Sequence, residues 1–261
     1  MPNTIKYRKS FGKLEAFLLP CALGLFGLWL WDGVIRWFSI QPIYLPTIGA
    51  ISDSLVENFP LLAEYAKSSL FDMLFAFVGA AIAGFFLALL VDASAFMRKA
   101  FYPIILSFEV IPKITLAPLF IVWFGPGQTF RIAFAVYLAF FSVLIATSTG
   151  LRSATKGQIL LARSLLATDM QILMKIRLPN AIPFIFSGLK IAATMAVIGV
   201  IAAEFLAGDS GLGYIVMFAS YNMESALTFA ALVFLSVLGI GIYGIAGLLE
   251  RAVGRYFTGS M

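Results

Sequence analysis

The sequence contains no histidine, only one cysteine, and few charged residues for its length. Of its 261 residues, 12% are charged and 61% are hydrophobic, whereas soluble domains have about 25% charged and about 45–50% apolar residues. The lone Cys21 excludes an internal disulfide and a metal site built from cysteines. The absence of histidine removes the usual general base and metal ligand, which argues against an enzyme and against a metal site in this chain. A chain of this composition is expected in a lipid bilayer.

A nucleotide-binding phosphate loop is also missing. A Walker A loop requires the pattern G-x-x-x-x-G-K-[ST], and the single Gly-Lys pair, Gly12-Lys13, is followed by Leu14. We therefore do not expect this chain to hydrolyse ATP by that route. The net charge of +5 comes from short basic segments between long apolar runs. That distribution is typical of membrane topology and argues against nucleic-acid binding.

Six apolar runs are long enough to cross a bilayer as helices, for which about 17–25 residues are needed. They lie at about 16–38, 70–91, 100–124, 130–149, 182–206 and 226–249. Because lipid offers no hydrogen-bond partner to backbone groups, helices are the only viable spans at this hydropathy. The sequence therefore predicts an all-α membrane protein with about six transmembrane helices. The first run ends without a small-residue cleavage site, so we expect it to remain as an anchor.

The distribution of lysine and arginine predicts the orientation. If the N-terminus is cytoplasmic and six spans follow, the external segments hold only Arg36, Lys67 and Arg131. The internal segments then hold thirteen basic residues, namely Lys6, Arg8, Lys9, Lys13, Arg98, Lys99, Arg152, Lys156, Arg163, Lys175, Arg177, Arg251 and Arg255. Basic residues favour the cytoplasmic side, so both termini are predicted to be cytoplasmic.

These spans divide the chain into five parts. They are a cytoplasmic N-terminus (1–15), a first transmembrane helix (16–38), an external loop (39–69), a core with five transmembrane helices (70–250) and a cytoplasmic C-terminus (251–261). The external loop contains Asp53, Glu57 and Glu64 and is too polar to be a span, so we predict one amphipathic helix in it at about 50–66. The longest internal loop is 150–181.

The third apolar run is interrupted by prolines and by two opposite charges. Pro112 and Pro118 each remove a helical hydrogen bond and clash with the preceding turn. Glu109 and Lys113 are four residues apart, so they share a helix face and can pair. Two interpretations stay open. The pair either stabilises a kinked helix, or it lines a solute pathway, because ionisable residues inside a membrane usually face a bundle interior or a water-filled cavity.

A second interruption covers residues 202–225. Glu204 ends the fifth span, glycines follow soon after, and Asp209 and Glu224 make this external segment acidic. The segment is either a polar turn or, because its stretch GLGYIVMFASYN is apolar and aromatic, a short re-entrant helix at the outer mouth of a cavity. The candidate pathway residues are Glu109, Pro112, Lys113, Pro118, Glu204 and Asn222.

The internal loop has apolar side chains at roughly helical spacing over residues 156–177. This pattern predicts two short amphipathic helices with a turn near 167–169. Asp169 is expected to cap a second helix that starts near Met170. Pro179 is then expected to stop regular structure, and Pro183 to open the next span. Such a helix pair either lies in the lipid headgroups or forms a contact surface.

The same stretch resembles the EAA loop of bacterial ABC importer permeases, whose pattern is E-A-A-x-x-x-G, nine residues, and I-x-L-P. The closing I-x-L-P is matched by residues 176–179, which read IRLP. Counting back places Ala162 at the second alanine and Leu166 at the glycine. Leu160 and Leu161 stand where the glutamate and the first alanine would be.

The missing glycine affects the expected shape of the loop. Glycine allows the tight turn between the two short helices, whereas Leu166 cannot adopt a positive φ cheaply. The turn is therefore expected to shift to Ala167–Thr168, or the partner ATPase has a correspondingly altered groove.

Four further segments resemble permeases of the nitrate/sulfonate/taurine type. They are IPKITLAPLFIVWFGPGQ (111–128), STGLRS (148–153), LPNAIPFIFSGLK (178–190) and AAEFLAGDSGLGY (202–214). They occur in the order and at the separations of that family, and the resemblance covers about residues 65–250.

The resemblance implies the permease fold of a type I ABC importer and a place in the bacterial inner membrane. Two permease copies would form the pathway, and two cytoplasmic ATPase subunits would bind ATP and Mg, so that this chain holds no cofactor. A periplasmic or lipid-anchored binding protein would deliver a small hydrophilic solute: an oxyanion, a sulfonate or a heteroaromatic vitamin precursor. The implied coupling residues are Ala162, Arg163, Ser164, Leu165, Leu166, Ala167, Thr168, Asp169, Ile176, Leu178 and Pro179.

The residues alone leave one alternative function open. A stand-alone secondary transporter or channel would use Glu109, Lys113 and Glu204 as proton or ion groups. That function explains the charges within the spans but leaves the amphipathic internal loop without a role. The solute is not indicated by either function, because the attraction of Lys113 for an anion is cancelled by the neighbouring Glu109.

Overall fold

The computed structural model describes residues 13–258, which are almost entirely helical. Within these residues, five helices are apolar and long enough to cross a membrane, and one bent helix pair provides a sixth span if it crosses as a unit. The all-α membrane fold predicted from the sequence is confirmed. The helices are α1 (Lys13–Trp37), α2 (Ile48–Glu57), α3 (Phe59–Asp92), α4 (Ala95–Val110), α5 (Ala117–Phe124), α6 (Gln128–Leu151), α7 (Lys156–Ser164), α8 (Asp169–Ile172), α9 (Leu178–Ala207), α10 (Leu212–Tyr221) and α11 (Ser225–Thr258).

The centre of the fold is formed by α3, α6 and α9, which pack against one another through small side chains. The shared buried residues include Ala76, Ala80, Ala135, Ala139, Ala192 and Ala196. A Cβ atom at Gly199 would lie 2.7 Å from the Cα atom of Ala135, and one at Gly188 would lie 2.6 Å from the Cβ atom of Ala146. Small residues let helix backbones approach closely, which is the main way that helices associate in lipid.

The third span is broken, as its prolines predict. Helix α4 ends at Val110, a 3₁₀ turn covers Lys113–Leu116, and α5 leaves at an angle of 92° to α4. Ile111 has extended backbone angles (φ −64°, ψ 131°), because the residue before a proline is disfavoured in the helical region. The predicted loss of a helical hydrogen bond at Pro118 is wrong, because Pro118 lies in the first turn of α5, where a missing N–H costs no such bond.

The start of α3 and the neighbouring loop differ from the prediction. Helix α3 begins at Phe59 rather than near 70, so the last part of the predicted external loop, residues 59–69, forms its first turns. The amphipathic helix predicted at 50–66 is the shorter α2, which ends at Glu57. The charged Glu64 and Lys67 did not mark a loop, because both lie on the exposed side of α3.

The ends of α9 and α11 also differ from the prediction. Pro179 does not stop regular structure; it lies in the first turn of α9, where proline is tolerated. Pro183, which was expected to open this span, lies inside the helix. A π-helical turn (Leu173–Arg177) joins α8 directly to α9. Helix α11 continues to Thr258, beyond the predicted end near 249. Of the predicted terminal segments, residues 1–12 and 259–261 lie outside the described residues.

Candidate functional site

The internal loop between α6 and α9 is a pair of short helices that each begin at a threonine. Thr155 accepts a hydrogen bond from the N–H of Gln158, and Thr168 accepts one from the N–H of Gln171. Each glutamine side chain accepts a bond from the threonine N–H in return, which makes two capping boxes. The expected cap at Asp169 is therefore wrong: Thr168 caps α8, and Asp169 is its first helical residue, where a carboxylate favours the helix N-terminus.

Leu166, in the turn between these helices, has a left-handed backbone with φ 58°. The N–H of Leu166 donates to the Arg163 oxygen (3.0 Å), and the N–H of Ala167 donates to the Ala162 oxygen (3.0 Å). These two bonds form a Schellman motif, which usually places glycine at this position. The expected shift of the turn to Ala167–Thr168 is wrong. Leu166 aligns with the glycine of the EAA pattern and adopts the conformation that glycine favours.

The helix pair exposes large apolar side chains. The loop surface, as we define it, consists of Leu160, Leu161, Leu165, Leu166 and Met170, whose exposed fractions run from 64% to 90%. In contrast, Ile172 on the opposite side is buried. Contiguous exposed apolar side chains that polar residues surround mark an interaction site. The loop surface is therefore suited to contact a partner.

The loop is attached to the ends of the spans beside it. The Arg177 Nε atom donates to the Leu151 oxygen at the end of α6 (3.0 Å), and the Asn180 amide donates to Gln158 in α7 (3.3 Å). Ile176, Leu178 and Pro179 are half-buried where the π-helical turn enters α9. Direct hydrogen bonds thus connect α7 to α9 and the π-helical turn to the end of α6.

The charged pair of the broken third span forms as predicted. Lys113 Nζ lies 2.9 Å from Glu109 Oε2, and the ammonium also lies 5.0 Å from the centre of the Phe141 ring. Since α4 ends at Val110, the pair bridges the break rather than one helix face. Pro112 and Pro118 flank the same 3₁₀ turn and are exposed. The role of these residues in a pathway stays a prediction.

Glu204 is buried against the turn that follows α9. Ser69 Oγ donates to Glu204 Oε1 (2.6 Å), and the Gly213 N–H donates to Oε2 (2.7 Å). The Leu212 N–H in turn donates to Ser69 Oγ (2.8 Å). A Cβ atom at Gly211, whose φ is 95°, would lie 2.0 Å from Glu204 Oε1, so glycine is required for the backbone to approach the carboxyl group. These bonds join the turn to α3.

Asn222 does not reach this carboxyl group. It ends α10 and is exposed. Helix α10 itself confirms that residues 202–225 contain a short helix rather than a simple polar turn, although its ten residues are too few to cross a bilayer.

Sequence reasoning missed a set of polar residues beside Glu204. Arg131 Nε donates to Asp72 Oδ2 (2.6 Å), Arg131 Nη1 donates to Asp209 Oδ1 (2.7 Å), and Gln128 Nε2 donates to Asp72 Oδ1 (2.9 Å). The side chains of Arg131 and Asp72 are 3% and 0% exposed. We call Ser69, Asp72, Gln128, Arg131, Glu204 and Asp209 the polar cluster. One signal was available: Asp72 is a charged residue within a predicted span, which indicates a buried partner.

The Asp209 carboxyl group lies outside the spans and is 79% exposed. Its hydrogen bond from Arg131 lowers its pKa below the ordinary value. A lowered pKa stabilises the folded state at pH values above the pKa of the unfolded chain, and this contribution is lost as the pH falls through the lowered pKa. The bond between Arg131 and Asp209 therefore contributes to the stability of the folded chain at ordinary pH.

Comparisons with known proteins identify the family to which this chain is similar. The profile of the family described as "Binding-protein-dependent transport system inner membrane component" matches residues 80–255. A probable ABC transporter permease protein of Haemophilus influenzae is 30% identical over 227 residues, which cover 87% of this chain and 93% of that protein. The taurine transport system permease protein TauC of Escherichia coli is 29% identical over 242 residues, covering 88% of this chain and 85% of that protein.

The fold has a counterpart among solved structures. A chain of the MetNI methionine ABC transporter, in an inward-facing conformation, matches with a TM-score of 0.58 over 80% of this chain and 98% of that chain, at 23% identity. The family profile covers well over half of the sequence. The matched part includes the broken third span, the internal loop and all members of the polar cluster except Ser69 and Asp72. The chain therefore belongs to the family of binding-protein-dependent transport system inner membrane components, as an ABC transporter permease of the nitrate/sulfonate/taurine type.

Proposed function

We propose that this permease is the transmembrane subunit of an ATP-driven importer that moves a small hydrophilic solute by alternating access. Partner ATPase subunits would hold the ATP and Mg, and a binding protein outside the membrane would deliver the solute. A second copy of the chain would complete the pathway. The observation that carries the proposal is the loop surface: five exposed apolar side chains on an internal loop that is bonded to the ends of α6 and α9.

The loop would couple ATP binding to the spans. Coupling requires that the ATPase bind the loop with different geometry in two states, because a partner shifts an equilibrium only by its differential affinity. The stretch from Ala162 to Asp169 offers the contact, and the half-buried Ile176, Leu178 and Pro179 connect it to α9. The Schellman turn at Leu166 and the two capping boxes keep the helix pair in one shape, which supports transmission of a push rather than its loss in a flexible loop.

The proposed orientation has both termini and the loop on the cytoplasmic side of the inner membrane. The Lys/Arg distribution supports it. The alternative of a stand-alone transporter or channel has less support, because the groups it needs are engaged within the chain. Lys113 is paired with Glu109, and Glu204 accepts two short hydrogen bonds.

We propose a small hydrophilic solute of the kinds for which the relatives are named. Relatives of this chain are named for the transport of taurine, nitrate and formylaminopyrimidine, which are a sulfonate, an oxyanion and a heteroaromatic compound. The aromatic content of 15% does not favour one of them.

Co-purification tests the proposal. The tagged chain, extracted from its own membranes, should bring down a subunit that mass spectrometry identifies as an ABC ATPase, and the complex should hydrolyse ATP. Leu165→Asp, which places a charge on the loop surface at a side chain that is 75% exposed, should reduce the recovered ATPase at least about tenfold, since desolvating an unpaired charge at an interface is costly. Lys99→Asp, an exposed residue elsewhere on the chain, is the matched control and should retain it. Recovery of the permease without any ATPase, or equal recovery with both variants, contradicts the proposal.

A further inference from the structure

A cavity of about 710 Å³ lies between the start of α4, the end of α6 and the internal loop. Its lining includes five cationic side chains, Arg98, Arg152, Lys156, Arg163 and Arg177, and two acids, Asp92 and Asp169. Five positive and two negative charges leave a net charge of +3 in the lining. A cavity with this excess favours an anionic occupant.

The two acids are each paired with one of the five cations. Asp92 is buried, accepts a hydrogen bond from Ser148 and lies 3.7 Å from Arg98. Asp169 lies 3.6 Å from Arg163. The excess charge is therefore carried by the other three cations.

Main-chain oxygens hold two of those three cations, and these neutral acceptors leave the charges uncompensated. The Nε atoms of Arg152 and Arg177 donate to the main-chain oxygens of Ser148 and Leu151 (both 3.0 Å) at the end of α6. Among the described residues, neither arginine nor Lys156 has an acidic partner within 4.0 Å. The terminal guanidinium nitrogens thus remain as fixed donors, the arrangement that arginine uses to bind phosphate oxygens.

An apolar groove of about 290 Å³ is lined by the same helices, α3, α4 and α6, whose ends line the cavity. It runs between α3, α4 and α6 and is lined by aliphatic and aromatic side chains, among them Leu87, Val91, Phe101, Ile104, Phe108 and Leu144. Val91 lines the groove and the next residue, Asp92, lines the cavity. On α4, Arg98 lines the cavity and Phe101, one turn further, lines the groove. The groove is open on its outer side, because Phe101, Ile104 and Phe108 are each about half exposed.

We propose that the cavity and the groove together form a binding site for an anionic phospholipid, with the phosphate among Arg152, Lys156 and Arg177 and an acyl chain in the groove. The cavity lies at the end of α3 and α6, where a lipid headgroup is placed when the spans are in a bilayer. Basic pockets between transmembrane helices bind acidic headgroups. The apolar groove favours a lipid over a soluble phosphate or an acidic protein segment, neither of which would occupy it. Arg163, Asp169 and Met170 line the cavity and also belong to the stretch or the loop surface proposed to contact the ATPase, whereas the headgroup residues Arg152, Lys156 and Arg177 do not.

Lipid retention by the full chain, purified in mild detergent and measured by native mass spectrometry, tests the site. Phosphatidylglycerol and phosphatidylcholine with the same acyl chains are the probes. The unchanged chain should retain the anionic lipid about tenfold more than the zwitterionic one, since each basic residue near an acidic lipid contributes appreciably. This comparison requires no variant, so a variant that fails to fold does not prevent the test. Equal retention of the two lipids overturns the proposal.

Two matched pairs of variants separate the headgroup and acyl parts of the site. Arg152→Gln/Lys156→Gln should bring retention of the anionic lipid close to that of the zwitterionic one. Lys99→Gln/Lys175→Gln removes two exposed charges that do not line the cavity and should preserve the preference. Ile104→Trp fills the groove and should lower retention of both lipids several-fold, whereas Leu106→Trp, exposed on α4 but outside the groove, should not.

The remaining outcomes would overturn the lipid assignment. If inorganic phosphate at millimolar concentration displaces the anionic lipid and Ile104→Trp has no effect, the site binds a soluble anion. If the chain co-purified with an ATPase loses the lipid, the cavity belongs to a contact between proteins. If Arg152→Gln/Lys156→Gln and Lys99→Gln/Lys175→Gln lose the preference for the anionic lipid equally, the preference is a diffuse surface effect rather than a site.

Discussion

Leu166 shows how one side chain can occupy a position that its chemistry disfavours. A non-glycine residue in the left-handed region costs about 1–2 kcal/mol, and two hydrogen bonds of the Schellman motif hold Leu166 there. Its side chain is 90% exposed, so packing within the described part of the chain does not explain why leucine is present. We propose that leucine is present despite this cost because its side chain contributes to the loop surface.

We therefore expect Leu166→Gly to stabilise the turn between α7 and α8. Removal of the left-handed cost, partly offset by the greater freedom of glycine in the unfolded chain, should stabilise the turn by about 1 kcal/mol. Amide hydrogen exchange at Leu166 and Ala167 should slow about fivefold, because exchange in a loop follows the free energy of local opening.

Leu165→Gly is the matched control for this substitution. Leu165 is a neighbouring exposed leucine with φ −87°, so glycine removes no strain there and should leave exchange unchanged or make it faster. If both variants slow exchange equally, the left-handed backbone of Leu166 is not the cause.

At the scale of the helices, two features determine how the spans are arranged. One is the break at a proline, and the other is the set of polar side chains that bond one span to another. The break after Val110 turns α5 by 92°, and the Glu109–Lys113 pair bridges it. The polar cluster instead joins α3, α6 and the turn after α9, since Asp72, Arg131 and Asp209 belong to these three parts. Arg131 is the residue that contacts both of the other elements.

Arg131→Met should therefore destabilise the protein strongly. It leaves Asp72 buried without a cationic partner, and breaking a buried ion pair in this way costs about 3–5 kcal/mol. For a chain of this size, that corresponds to a fall of about 10 °C in the temperature of thermal unfolding. Unfolding of the purified chain in detergent, followed by circular dichroism, measures the change.

Arg36→Met provides the comparison. Arg36 pairs with Asp32 through one hydrogen bond of 2.8 Å, but its side chain is 80% exposed, so the loss should be within about 1 kcal/mol. The double change Asp72→Leu/Arg131→Met removes both buried charges and should restore part of the stability. A double variant as unstable as Arg131→Met alone would show that the ion pair is not the origin of the effect.

At the scale of the whole molecule, the number of times that the chain crosses the membrane depends on the bent pair α4–α5. If the pair crosses as one span, three spans separate α2 from α7, and these helices lie on opposite sides. If it enters and leaves by the same face, only two spans separate them, and both lie on one side. The proposed orientation requires the first arrangement.

Single cysteines can decide between the two arrangements, because the chain has only Cys21 to replace by serine. We expect Ser52→Cys in α2 to react with a membrane-impermeant thiol reagent in intact cells. Gly157→Cys in α7, where an added side chain meets open space, should react only after the membrane is permeabilised. Reaction of both residues from the same side would exclude the six-span orientation.

The features that could be predicted from the sequence are those that depend on local composition. The apolar runs predicted the spans, because the hydrophobicity of about twenty consecutive residues decides whether a helix enters lipid. Pro112 predicted the break in the third span, because its effect is confined to the preceding turn. The start of α3 was misplaced because local composition does not show which face of a helix a residue occupies. By composition the charged Glu64 and Lys67 indicate a loop, but both lie on the exposed face of α3.

The features that only the tertiary structure decided are contacts between distant residues. Arg131 is 59 residues from Asp72 and 78 from Asp209, and their pairing depends on how α3, α6 and α9 cross. The left-handed Leu166 depends on the two helices that flank it, and its own propensity argues against it. The sequence determined that this chain is an all-α membrane protein with a helical internal loop. The packing of the helices determined which buried charges meet, because each helix presents its polar groups to whichever neighbour the small residues allow to come close.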